Sequence, residues 1–153
     1  MLKYRMYGLV PYNISPIQQG IQFGHAVVEY GISNTLEHNY IQWAHNDKTF
    51  IILNGGTTNT NPLSLGTLNQ SRNDLKEMKV EYASFYEPDL GDQLTAVVFL
   101  VDERVWDKDK YPEYDELLHG SYTDKPNHDF DLFGDDADKI LEMREFLSNY
   151  RLA

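Results

Sequence analysis

The run LTAVVFLV (residues 94–101) constrains this chain most. Eight consecutive residues carry no charge, and five of them are branched at the β-carbon or aromatic. Eight residues are too few for a membrane-spanning helix. They suit a strand buried on both faces, which must be covered by other elements on each side. A second compact run of this kind, TFIILN (49–54), follows charge and precedes glycines. The opening residues alternate, with Leu2, Tyr4, Met6 and Gly8 set against Lys3, Arg5 and Tyr7. They read as a first strand ended by Pro11, and EYASFY (81–86) reads as a short further one.

Helical signals lie between these runs. Ser15 followed by Pro16 is a strong start, a serine cap before a proline in the first turn, and Gly31 suits the stop. TLEHNYIQWAHN (35–46) is predicted as a short second helix with Leu36, Tyr40 and Trp43 turned inward. Leu65, Leu68, Leu75 and Met78 support a third over about 64–79, beyond the loop GGTTNTNPLSLG (55–66). Strand, helix, helix, strand, helix, strand, strand predicts an α/β sandwich: a mixed four-stranded sheet flanked by helices in three layers.

The composition changes after Asp102. Residues 1–102 hold ten acids against six bases, and residues 103–153 hold fourteen against seven, for a net charge of −11. The expected organisation is a main domain over 1–102 and an acidic extension over 103–153 packed on it. ADKILEMREFLSNY (137–150) is expected to close the extension as an amphipathic helix. The acidic balance counts against simple nucleic-acid binding, which draws its affinity from neutralising phosphates. The chain has no cysteine, so thiolate metal sites and disulfides are excluded and a reducing cytoplasm is the simplest setting. No segment has the length of a membrane span, and the first residues do not form a signal peptide.

The first helix separates into faces at 100° per residue. Ile14, Ile17, Ile21, Gly24, Val28 and Ile32 fall in one apolar arc, the stripe predicted to face the sheet. Gln18, Gln22, His25 and Glu29 form a polar stripe beside it. Gly20 and Gly24 together cost roughly 2 kcal/mol against alanine. Such a cost implies close backbone approach, here of helix to sheet. The polar stripe reads either as an ordinary helix boundary or as a shallow site near the strand ends.

The stretch QQGIQFGHA (18–26) resembles the helix motif of type 2 peptidyl-tRNA hydrolases. That motif runs lysine, three small or apolar residues, glutamine, two residues, histidine, alanine. Gln22, His25 and Ala26 match, and the family's lysine falls on Gln18. YEPDLGDQLTAVVFL (86–100) is similar to the family's final segment, in which an aspartate, a glycine and a threonine precede an apolar strand. Together with the order of elements, the likeness covers residues 3–101 and is closest to the divergent members that viruses carry. It implies hydrolysis of the ester joining a peptide to the 3′ end of tRNA. The implied catalytic set is His25, Gln22, Gln18, Glu87 and Thr95, with Asp89 and Gly91 at the substrate. Glu87 and Asp89 are alternative matches to the family's aspartate. Glu87 or His25 would take a proton from water, and Thr95 with Gln22 or Gln18 would donate to the oxyanion. With the lysine replaced, a catalytically silent relative is the alternative. It would bind RNA or protein through the same surface, or a basic protein through the acidic extension.

No cofactor is expected. DFDLFGDDADKI (129–140) lacks the fifth-position ligand and closing glutamate of a calcium loop. His38, His45, His119 and His128 lack metal-ligand spacing. NGGTTNTN (54–61) has neither a phosphate-loop lysine nor the glycine spacing of a dinucleotide site, and DKDKYPEYDELLHG (107–120) reads most simply as a solvated charged segment.

Overall fold

A computed structural model describes residues 1–118 and 130–153. His119, His128 and Asp129 lie outside the described residues. The chain divides into two compact units, one of residues 3–101 with 150–153 and one of residues 102–149.

The first unit is built on a mixed four-stranded sheet of order β2-β1-β4-β3. Its strands are β1 (Tyr4–Pro11), β2 (Phe50–Gly56), β3 (Ala83–Glu87) and β4 (Gln93–Asp102). β1 runs parallel to β2, with Met6 opposite Phe50 and Leu9 opposite Leu53. β3 and β4 are antiparallel, with Ala83 opposite Val98 and Glu87 opposite Gln93. β1 and β4 take the two central places, and both are buried over most of their length, although only β4 reads as an apolar run and β1 carries Arg5 near its start. The last residues return to the sheet as an edge cover. Arg151 accepts from the Asn54 amide at 2.8 Å, and Ala153 donates to the Ile52 carbonyl at 3.0 Å. The Tyr150 hydroxyl meets the Ser71 hydroxyl at 2.5 Å. A covered edge cannot recruit another strand.

The sheet has a helix on each face. Glycine sets both contacts, because a Cβ at Gly8 would collide with the Phe23 ring and one at Gly55 would meet Leu68 at 2.8 Å. Phe23 belongs to α1 (Pro16–Ser33), and Leu68 to α3 (Thr67–Glu77). The Cβ built at Gly55 also meets Leu9 at 3.1 Å. Gly8 and Leu9 are consecutive on β1, so α1 and α3 lie on opposite faces. Between them, α2 (His38–Gln42) runs into a π-helical turn over Trp43–Asp47. Trp43 enters the core with Tyr40 beside it, but Leu36 precedes the helix and is exposed. The inward place predicted for Leu36 is therefore wrong.

The larger correction concerns α1. Its buried residues are Gln22, Phe23, Ala26 and Tyr30. The predicted core stripe faces away from the sheet, with Ile17 77%, Ile21 44%, Val28 63% and Ile32 69% exposed. A Cβ at Gly20 or Gly24 would meet nothing within 4 Å among the described residues, so neither glycine brings the helix to the sheet. The reason is area and fit. Phe23 and Tyr30 each remove more apolar surface from water than an isoleucine. Ala26 lets the helix approach, and Gly8 opens a notch for the Phe23 ring.

In the second unit, α4 (Glu103–Trp106), α5 (Glu113–Leu118) and α6 (Phe130–Leu147) replace the expected single terminal helix. Glu103 is buried and accepts from Lys110 Nζ at 3.2 Å and Tyr111 Oη at 2.9 Å. The buried Arg144 donates to Asp115 at 3.0 Å and to the backbone carbonyls of Arg104 and Tyr111 at 2.6 and 3.0 Å. Residues 107–118 are thus tied down through specific side chains, which a merely solvated charged segment would not be. Among the described residues no helix is long and apolar enough to cross a membrane.

Candidate functional site

The site lies at the start of α1. After β1 ends at Pro11, Ser15 caps the helix by accepting from the Gln18 amide at 3.2 Å. Gln19 Nε2 reaches back to the Pro11 carbonyl at 3.1 Å and holds the turn between them. This fixes the first two turns of α1 beside the end of β3, where Ile14, Ser15, Gln18, Ile21, Gln22, His25, Glu87, Asp89 and Leu90 line an open pocket of about 500 Å³.

Gln22 organises it. Only 3% exposed, it accepts the Thr95 hydroxyl at 2.6 Å through Oε1 and donates through Nε2 to Glu87 at 3.0 Å. A weaker contact of 3.4 Å runs from Nε2 to Gln18 Oε1. One amide thereby joins α1, β3 and β4 across 65 and 73 residues of sequence. Such a side chain can be buried because each of its polar ends is satisfied. Glu87 is fixed at its other oxygen, since Oε1 accepts the Asp89 amide at 3.2 Å in the 3-10 turn Pro88–Leu90. A bulge between Phe85 and Tyr86 precedes it and re-aims the strand end. The His25 ring lies stacked on Phe85, centroids 4.5 Å apart, and is open to solvent.

The residues singled out in the sequence divide into three groups. Gln18, Gln22, His25, Glu87 and Asp89 share the pocket. Thr95 stands behind it, 1% exposed, with its hydrogen committed to Gln22. Gly91 is outside the lining and takes φ of 66° at the end of the 3-10 turn, a conformation that suits glycine. The pocket's apolar rim, Ile14, Ile21 and Leu90, and the Phe85 platform were not singled out. Ile14 and Ile21 were assigned to the core, and only the reversed face of α1 brings them here.

Chemically, the pocket offers a held carboxylate, a second exposed carboxylate, an imidazole and a primary amide against an apolar rim. No lysine or arginine among the described residues lines the pocket. Among the described residues no three His, Asp or Glu side chains are grouped to hold a metal ion.

No protein-family model matches the chain, and no curated protein matches it at a significant level.

Proposed function

We propose that this pocket hydrolyses the ester between an acyl or peptidyl group and tRNA, on a three-layer scaffold of the type 2 peptidyl-tRNA hydrolase kind. One observation carries the reading. The glutamine and histidine of the helix motif share one pocket with the glutamate of the distant segment, and Gln22 ties that glutamate to the threonine behind it. In this reading His25 takes a proton from water as the water oxygen attacks the ester carbonyl carbon. The Gln18 amide donates to the oxyanion. When the tetrahedral intermediate collapses, the carbon–oxygen bond to the ribose breaks and His25 returns the proton to that oxygen. Gln22, Thr95 and Glu87 position the groups around the substrate.

The test is hydrolysis of a model peptidyl-tRNA by wild type, His25→Ala and Gln18→Lys. Slow turnover is expected in wild type, with a loss of about 100-fold or more in His25→Ala. Gln18→Lys should gain up to about 100-fold, since one oxyanion-stabilising donor commonly carries that much. No turnover in any of the three overturns the hydrolase reading.

A second reading is favoured by a separate observation. Among the described residues two carboxylates and no lysine or arginine line the pocket, an arrangement poorly suited to a polyanion. In that reading the protein is a silent relative that binds a partner. A gain of turnover in Gln18→Lys alone would support it.

A further inference from the structure

Apart from Ile21 on the pocket rim, the outward face of α1 takes no part in the candidate site, and its pattern is specific. Ile17, Ile21, Val28 and Ile32 follow one another at intervals of four, seven and four residues. The order of intervals is the same from either end, with its midpoint between Gly24 and His25. A stripe of this kind is self-complementary when two copies cross antiparallel, as a two-fold interface requires. At 1.5 Å per residue, the stripe is about 22 Å long. Beside its midpoint the helix surface is bare, because a Cβ at Gly20 or Gly24 would touch nothing within 4 Å among the described residues.

Size and charge both favour a second copy as the occupant. At the exposures given above, the four side chains and the bare backbone present roughly 500 Å², the size of the largest patch on a typical monomer. Two such faces bury about 1,000 Å² together, the lower bound for a specific interface, a size at which association is weak and reversible. The chain carries 24 acids against 13 bases, yet α1 holds one carboxylate, Glu29, and no lysine or arginine. A basic partner would find almost nothing to pair with on this face, and an anionic lipid surface would repel the chain. Two copies can meet there with little like-charge contact, and the acidic surface elsewhere opposes other modes of association.

We propose that two copies of this chain associate through α1, antiparallel about a two-fold axis beside Gly24, with Ile17 against Ile32 of the second copy and Ile21 against Val28. The association is reversible and strengthens as salt screens the net negative charge. Sedimentation velocity from about 5 to about 300 µM, at physiological salt and at about 0.5 M, should show a monomer–dimer equilibrium that moves toward dimer in high salt. Val28→Glu should leave a folded monomer throughout. Leu63→Glu, on an exposed loop residue away from α1, should dimerise like wild type. Since the chain has no cysteine, Gly24→Cys gives an independent readout, cross-linking to its own kind on oxidation where Leu63→Cys does not. A wild type that stays monomeric at all concentrations overturns the proposal. So does a dimer indifferent to Val28→Glu. A monomer that floats with phosphatidylcholine vesicles would also overturn it, with lipid as the occupant of the face.

Discussion

Gln22 of α1 and Thr95 of β4 are held together by a 2.6 Å hydrogen bond in which the threonine hydroxyl donates and both side chains are buried. The bond sits behind the pocket and orients the amide that reaches Glu87 at its mouth. Thr95→Val keeps the shape and removes the donor, leaving Gln22 Oε1 buried without this partner. The expected loss is about 1–3 kcal/mol of stability. Thr95→Ser restores the donor and should recover most of it. Urea denaturation of the three proteins decides the matter, and equal midpoints for threonine and valine would remove the bond from any account of the site.

Glycines 8 and 24 are chemically identical and should respond in opposite ways to the same substitution. Gly8→Ala places a methyl group where the Phe23 ring lies, and overpacking of this kind costs about 1–3 kcal/mol. Gly24→Ala adds a methyl group to open space on a helix and should stabilise the monomer by about 0.5–1 kcal/mol in dilute solution. Thermal melts at low protein concentration distinguish them.

That contrast also marks what the residues disclosed in advance. The order of elements, the two buried strands and the Ser15 cap follow from local chemistry. Gln22 and His25 could be picked out because they stand four and seven residues from Gln18 on one helix flank. The face of α1 that meets the sheet could not be read this way. Counting aliphatic residues favours the isoleucine stripe, whereas burial follows Phe23, Ala26 and Tyr30, which share a different arc. The decisive information lies at Gly8, in another strand, where the absence of a side chain makes the Phe23 position available. The partners of Gln22 are distant in the chain for the same reason, and helix periodicity carries no trace of them.

Alkaline pH should weaken the fold through Tyr30. Burial, foremost, and then the charges of Glu81 and Glu37 push its phenol well above the ordinary tyrosine range. The native state therefore holds this proton more tightly than the unfolded chain, whose tyrosines titrate near 10. Stability from this group is complete below that value and is lost as pH rises through the higher native one. Tyr150 is raised as well, mainly by burial. Urea midpoints should fall from about pH 9 to about pH 11 in wild type and fall less steeply in Tyr30→Phe. Equal slopes would show that Tyr30 does not govern the transition.

The position of β1 between β2 and β4 has a consequence for how the chain is made. During synthesis β1 leaves the ribosome before the other strands of its sheet, while the strand that completes its pairing is formed by residues 93–102. A strand buried on both faces must therefore pass most of that interval with one hydrogen-bonding edge unsatisfied and its apolar side chains in water. Closing the sheet across so long a separation is slow compared with forming α1 or α3. The nascent chain thus carries an early apolar segment whose protection depends on a late one.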